Sequence, residues 1–143
     1  MNKLTLAVAC AAASLTFTAT ASAQDAEPAR TTYRVMAIDL KPDADAGKYD
    51  EMITETLVPA YEAAGLVPPQ VHWVMANDDW DYLMVDTMKD GMATFDSHMS
   101  PARAALRDAL QAKLGSEEKV EEFWKQLSDM EAKTKVLFTH THP

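Results

Sequence analysis

The residues with the most suggestive chemistry lie on two short runs, 70–76 and 81–88. Read as strands joined through Asn77-Asp78-Asp79-Trp80, with Asp78-Asp79 at the turn centre, they set Met75 opposite Tyr82, Trp73 opposite Met84 and Val71 opposite Asp86. Strand side chains alternate, so these six share one face, an aromatic and thioether wall with a single carboxylate. That is the composition of a small-molecule site. A carboxyl group withdrawn from water has a raised pKa and can act as a general base. The same residues equally describe a dimer core, with Asp86 at its rim paired to Arg34. Both readings stand at this level.

The remaining polar residues are less organised. His72 alternates onto the opposite face with Val74 and Val85, and is expected beneath helices as a hydrogen-bonded core or edge histidine. With the faces exchanged it becomes a pocket residue. His140-Thr141-His142 places alternate imidazoles on one side of an extended segment, a geometry suited to zinc or copper, yet no cysteine is available to join them and no metal site is expected. Asp78, Asp79 and Asp81, and the glutamates at 117, 118, 121 and 122, match no calcium-loop spacing and read as solvated surface. Four glycines make no phosphate cradle, and no nucleophile elbow or cysteine nucleophile is present.

Composition narrows the partners. The chain has 143 residues, 13 Lys+Arg against 22 Asp+Glu, a net charge of −9 and 48% hydrophobic side chains. This is one globular domain, and its acidity argues against nucleic acid and anionic membrane surfaces, which select basic patches. Lys3, an uncharged run from Leu4 to Phe17 and Ala21-Ser22-Ala23 read as a signal peptide over residues 1–23. Threonines and Ser22 dilute the run too early for a membrane anchor. Ala7-Val8-Ala9 before Cys10, with the apolar run continuing beyond, argues against lipidation. Cleavage would leave 120 residues with no cysteine and take the charge to −10. A periplasmic or secreted domain without membrane contact is expected, held together by its core.

Residues 24–31 read as a flexible lead-in, and a single domain over 32–143 is expected to position the candidate residues. The run 33–40 reads as a strand stopped by Lys41-Pro42. Tyr49, Met52, Ile53, Leu57, Ala60 and Tyr61 recur at helical steps in a helix ended by Gly65 and kinked or split by Pro59. Met92, Phe95, His98 and Met99 sit at helical spacing. Ser100-Pro101 then caps a helix through Leu114, Ser116 caps another over 117–135, and 136–141 is a last strand.

Strand, helix, hairpin, helices, strand is the β-α-β-β-α-β order of an α+β, ferredoxin-like fold: a four-stranded antiparallel sheet with helices on one face and an extra helix before the last strand. Helices on one side leave the other face uncovered. The face with Trp73, Tyr82 and Met84 is expected to be the open one, covered by a second copy of the sheet in a homodimer.

This order, the Lys41-Pro42 pair, the segment Leu57-Val58-Pro59-Ala60-Tyr61-Glu62-Ala63-Ala64-Gly65 and the Trp-rich hairpin resemble the dimeric α/β-barrel superfamily, which includes antibiotic-biosynthesis monooxygenases, NIPSNAP-like domains and haem-handling enzymes. The resemblance implies a small aromatic or polyketide-like ligand between sheet and helices. It also draws attention to His98, near a functional histidine of haem-degrading relatives. Here Met88 stands where those carry a tryptophan, and strand 1 has no asparagine. The expectation is an exported homodimer binding a small hydrophobic or aromatic molecule, oxidised or rearranged without an encoded cofactor. Tyr82, Asp86 and His98 would be catalytic, and Trp73, Met84, Arg34 and Met75 would contact the ligand. The alternatives are a non-catalytic dimeric module and a haem protein using His98.

Overall fold

The computed structural model describes residues 30–76 and 79–142. The expected signal peptide, nearly all of the lead-in and Asn77 and Asp78 of the expected turn lie outside these. Four strands form one antiparallel sheet in the order β2-β3-β1-β4, where β1 is Thr32–Leu40, β2 Gln70–Trp73, β3 Tyr82–Met88 and β4 Glu131–His140. The first and last strands flank each other at the centre and one edge, as a ferredoxin-like fold requires. Helices α1 (Ala46–Glu51), α2 (Val58–Ala63), α3 (Pro101–Leu114) and α4 (Glu117–Met130) connect them.

Capping follows the sequence signals. Asp45 accepts from the Lys48 N–H at 3.0 Å, and Ser100 and Ser116 do the same for Arg103 and Lys119. Gly65 takes a left-handed φ of +67°, and the Leu66 N–H then returns to the Tyr61 carbonyl at 2.9 Å, closing α2.

Pro59 does not break its helix. Between α1 and α2 the turns widen into a π-helical stretch, Met52–Leu57, and the Val58 N–H reaches the Ile53 carbonyl. Widening just before the proline relieves the clash of its ring with the preceding turn. It also aligns side chains. In an α-helix, residues four apart drift by about 40° each step. Wider turns remove that drift, and Tyr49, Ile53, Leu57 and Tyr61 are all buried along one line.

The sheet presents Arg34, Met36, Ile38 and Leu40 from β1, with Tyr82, Met84 and Asp86 from β3, to this helical line. This corrects the expected assignment of faces. Tyr82 is 0% exposed, Met84 3% and Asp86 9%, so the aromatic and Met-rich face lies under the helices rather than open. Long side chains fill the deep space between a sheet and helices. The compact face of Val35, Ala37, Leu83, Val85 and Leu137 is the one without a helix layer, and His72, expected beneath helices as a core or edge histidine, is exposed on it at the edge strand.

Three boundaries also differ. β2 stops at Trp73, and its register sets Trp73 opposite Tyr82 and Val71 opposite Met84, two residues from the expected pairing. An even slip preserves the faces. Ala76 adopts φ +60°, a conformation that cannot continue a strand. The stretch after β3 is a single 3-10 segment, Gly91–Phe95, rather than a longer helix. Finally, α4 passes into β4 at Glu131 with no loop. Glu, Ala and Lys at 131–135 favour helix locally, but pairing along the whole of β1 overrides that propensity.

If Met84 belongs to the intrachain core, Met84→Ala should cost about 2–5 kcal/mol of unfolding free energy. That loss, read from urea titrations, should be the same at every protein concentration. A loss that grows on dilution would put Met84 at a subunit interface instead.

Candidate functional site

Antiparallel pairing sets Arg34 of β1 directly opposite Asp86 of β3 on the helix-facing side. Their side chains meet there, Arg34 Nη2 donating to Asp86 Oδ2 at 2.7 Å. Tyr61, at the end of the buried helical line, donates its hydroxyl to the same oxygen at 3.3 Å. Two donors from two layers thus converge on one carboxylate.

Electrostatics follow from burial. Loss of water raises the pKa of the Asp86 carboxyl, while the Arg34 cation and the Tyr61 hydrogen bond oppose the rise. Tyr61 is pushed up to about 12, first by burial and then by the Asp86 charge, against the opposing pull of Arg34. It is therefore a neutral donor throughout the physiological range. Asp86 is the group able to take a proton, and Tyr61 and Arg34 are able to stabilise negative charge. Arg34 has donor capacity left over: its Nε–H is buried and finds no hydrogen-bond partner among the described residues.

Beside this cluster the helix layer is incomplete. On the same face, Phe138 of β4 stands opposite Arg34, and His140 opposite Thr32. Thr32, Phe138 and His140 floor a depression of about 270 Å³ walled by Met92 and Arg30. Phe95 meets Phe138 edge to face at 5.2 Å between ring centres. Met92, Phe95 and Phe138 are each about half exposed, giving the depression an apolar, aromatic lip. A larger, open hollow of about 690 Å³ lies between α2 and α3. It is walled chiefly by alanines and brings no polar cluster together, so the candidate site is the depression beside Arg34.

The expected site residues divide into groups. Arg34 and Asp86 come together. Tyr82 and Met84 share their face but lie in closed core: Tyr82 is packed between Tyr49 and Trp73, at ring-centre distances of 5.2 and 4.6 Å, and its hydroxyl donates to the Ala46 carbonyl. Burial raises its pKa to about 12, helped by the charges of Asp50 and Asp81. Trp73 is half exposed at the sheet edge, and Met75, at 88% exposure, lies beyond the end of β2. His98 is exposed on the stretch before α3, where its backbone carbonyl accepts from Arg103. The His140 and His142 rings lie 4.7 Å apart, and Arg30 Nη1 is 3.4 Å from His140 Nε2. Among the described residues no group of three or more His, Cys, Asp or Glu side chains converges to hold a metal ion.

Tyr61 was legible in the sequence only as a core position. Its signal was the four-residue spacing from Tyr49, Ile53 and Leu57, which becomes informative once the π-helical turn is known.

Comparison with solved structures fixes the architecture. A NIPSNAP family protein of unknown function from Agrobacterium tumefaciens superposes with a TM-score of 0.51 at 12% identity, covering 78% of this chain and 87% of that one. This chain has that fold. A second structure of the Agrobacterium protein gives a TM-score of 0.50 at 13% identity over 76% of this chain and 90% of the other. At this identity the likeness concerns fold alone, and it agrees with the ferredoxin-like order of strands and helices. No family model matches the chain, and no curated protein matches it.

Two measurements test the cluster. Tyr61→Phe should lose about 0.5–1.5 kcal/mol of stability, the usual worth of one buried hydrogen bond. Because the Asp86 carboxyl titrates higher in the folded chain than in the unfolded one, the folded state binds more protons between those two values. Its contribution to stability is present at low pH and is lost as pH rises through that interval. Asp86→Asn should flatten the decline in unfolding free energy that begins above about pH 4. An unchanged slope would show that Asp86 titrates as a solvated carboxylate.

Proposed function

We propose that this is an exported, homodimeric α/β-barrel protein that binds a small hydrophobic or aromatic molecule on the helix-facing side of its sheet. The observation that carries the ligand reading is the Arg34–Asp86–Tyr61 cluster, with its unused buried donor, next to an apolar depression. An aromatic lip with a few convergent polar groups at one end is the usual form of a small-molecule site. The chemistry the cluster offers is proton transfer: Asp86 takes a proton from the bound molecule, and Tyr61 and Arg34 steady the charge left behind. That suits a cofactor-independent rearrangement. Haem is the weaker reading, because His98 is exposed and apart from this cluster's hydrogen bonds.

Dimerisation is proposed through the compact sheet face. Val35, Leu83, Val85 and Leu137 form a contiguous apolar surface with no helix over it. A second copy of the same face can cover it with matching side chains around a twofold axis. Export rests on the apolar and small-residue pattern of residues 1–23.

Light scattering of the mature protein, 24–143, should give twice the chain mass. Val85→Glu, which would bury two like charges face to face, should give a folded monomer by the same measurement and by circular dichroism. A wild-type monomer contradicts the dimer. Ligand binding is tested by thermal shift against aromatic and quinone-like compounds, since a molecule bound only to the folded state must raise Tm. Binders should lose their effect in Phe138→Ala. A screen without any shift would leave a non-catalytic dimeric module.

A further inference from the structure

The end of β4 carries two imidazoles that the proton-transfer chemistry does not use. His140 and His142 lie two residues apart on an extended segment, so their side chains leave on the same side. Both are exposed, and their rings stand 4.7 Å apart between centres at an interplanar angle of 54°. Histidines on a fraying strand end would hold nothing in place, but this end is tied down. The Thr141 N–H donates to the Thr31 carbonyl at 3.1 Å, and the Thr31 N–H donates to Thr141 Oγ1 at 3.2 Å. The residue between the two imidazoles is thus hydrogen-bonded in both directions to the start of β1, a strand paired on both of its sides.

The ring spacing favours one kind of ion. A first-row divalent metal lies about 2.0–2.1 Å from an imidazole nitrogen, and so about 3.2 Å from the ring centre. Ring centres 4.7 Å apart then subtend about 95° at the metal, close to the right angle between neighbouring ligands of a tetragonal site. Tetrahedral zinc would set the centres about 5.2 Å apart. Histidine rings turn readily about their last side-chain bond, which lets each exposed ring bring a nitrogen to the shared point. Arg30 Nη1, 3.4 Å from His140 Nε2, can only donate, so that nitrogen is an acceptor in this contact, as a metal ligand has to be. Among the described residues no third His, Cys, Asp or Glu joins the pair, and water therefore completes the coordination. Imidazole and water suffice for copper, which binds such donors more tightly than the other first-row divalent ions. The net charge of −9 draws cations to the chain.

We propose that His140 and His142 form a two-imidazole chelate for a divalent copper ion. It stands independently of the small-molecule reading, because it needs neither Asp86 nor an occupant in the depression. Thr141 acts as the positioning residue, holding the two histidines in register through Thr31.

Copper(II) is titrated calorimetrically into the mature protein, 24–143, prepared without a polyhistidine tag, and electron paramagnetic resonance counts the bound nitrogens. His140→Ala, His142→Ala and the control variant His72→Ala/His98→Ala change exposed side chains, and circular dichroism checks that each folds. Wild type should bind about one ion per chain through two imidazole nitrogens. Either single variant should show one nitrogen and bind at least about tenfold more weakly, because the second imidazole of a chelate acts at a high effective concentration. The control should bind as the wild type does. Wild-type affinity in His140→Ala or His142→Ala overturns the proposal and marks any copper as adventitious. An equal loss in the control, or a single nitrogen in the wild type, overturns it as well.

Discussion

One buried carboxylate organises the protein. Asp86 sits on the central part of the sheet, under the helices, where an unpaired charge would be very costly. It is held there by Arg34, which the β1–β3 register places directly across from it, and by Tyr61, which the π-helical turn brings round to face it. Slip the register by one residue and Arg34 goes to the other face. Replace the π-helical stretch by regular α-helix and the line from Tyr49 to Tyr61 twists away from the sheet. The sheet pairing, the helix geometry and the candidate site are therefore conditions on one another. The opposite end of the same helical line is pinned similarly, with Tyr49 donating to Glu131 at 2.9 Å, at the point where α4 becomes β4.

How far this arrangement was readable in the sequence depends on the range of the interactions that decide it. Alternation and turn residues report local geometry, so the strand order, the grouping of Val71, Trp73, Tyr82, Met84 and Asp86 on one face, and the caps at Ser100 and Ser116 were legible. The choice of which face meets the helices was not. Both faces are apolar, and the decision depends on the depth of packing: Tyr82 and Met84 reach far enough to fill the space beneath Tyr49 and Ile53, while Val35 and Val85 do not. The end of α4 was hidden for a related reason. Residues 131–135 prefer helix when isolated, and only a long-range pairing with β1 makes them strand.

The candidate site was half legible. The Arg34–Asp86 pair follows from residue types on adjacent strands, but Tyr61 enters through a departure from α-helical spacing that a periodic reading treats as ordinary core. Tyr82 shows the reverse. An aromatic hydroxyl on the right face looked like a reactive group, yet full burial between Tyr49 and Trp73 makes it a packing residue with a satisfied hydroxyl. The two faces of the sheet thus divide the work. The deep face builds a core with a polar cluster at its unfilled margin, and the shallow face carries the compact residues Val35, Leu83 and Val85.

The most direct test is a double-mutant cycle between Arg34 and Asp86. Unfolding free energies would be measured for the wild type, Arg34→Met, Asp86→Leu and the double variant. If the pair is coupled across the sheet, removing Arg34 strands the poorly hydrated Asp86 charge, and the double variant should be less destabilised than the sum of the two by about 1–3 kcal/mol. Additive losses, within about 0.5 kcal/mol, would show two independent side chains and would contradict the central role of this partly buried pair.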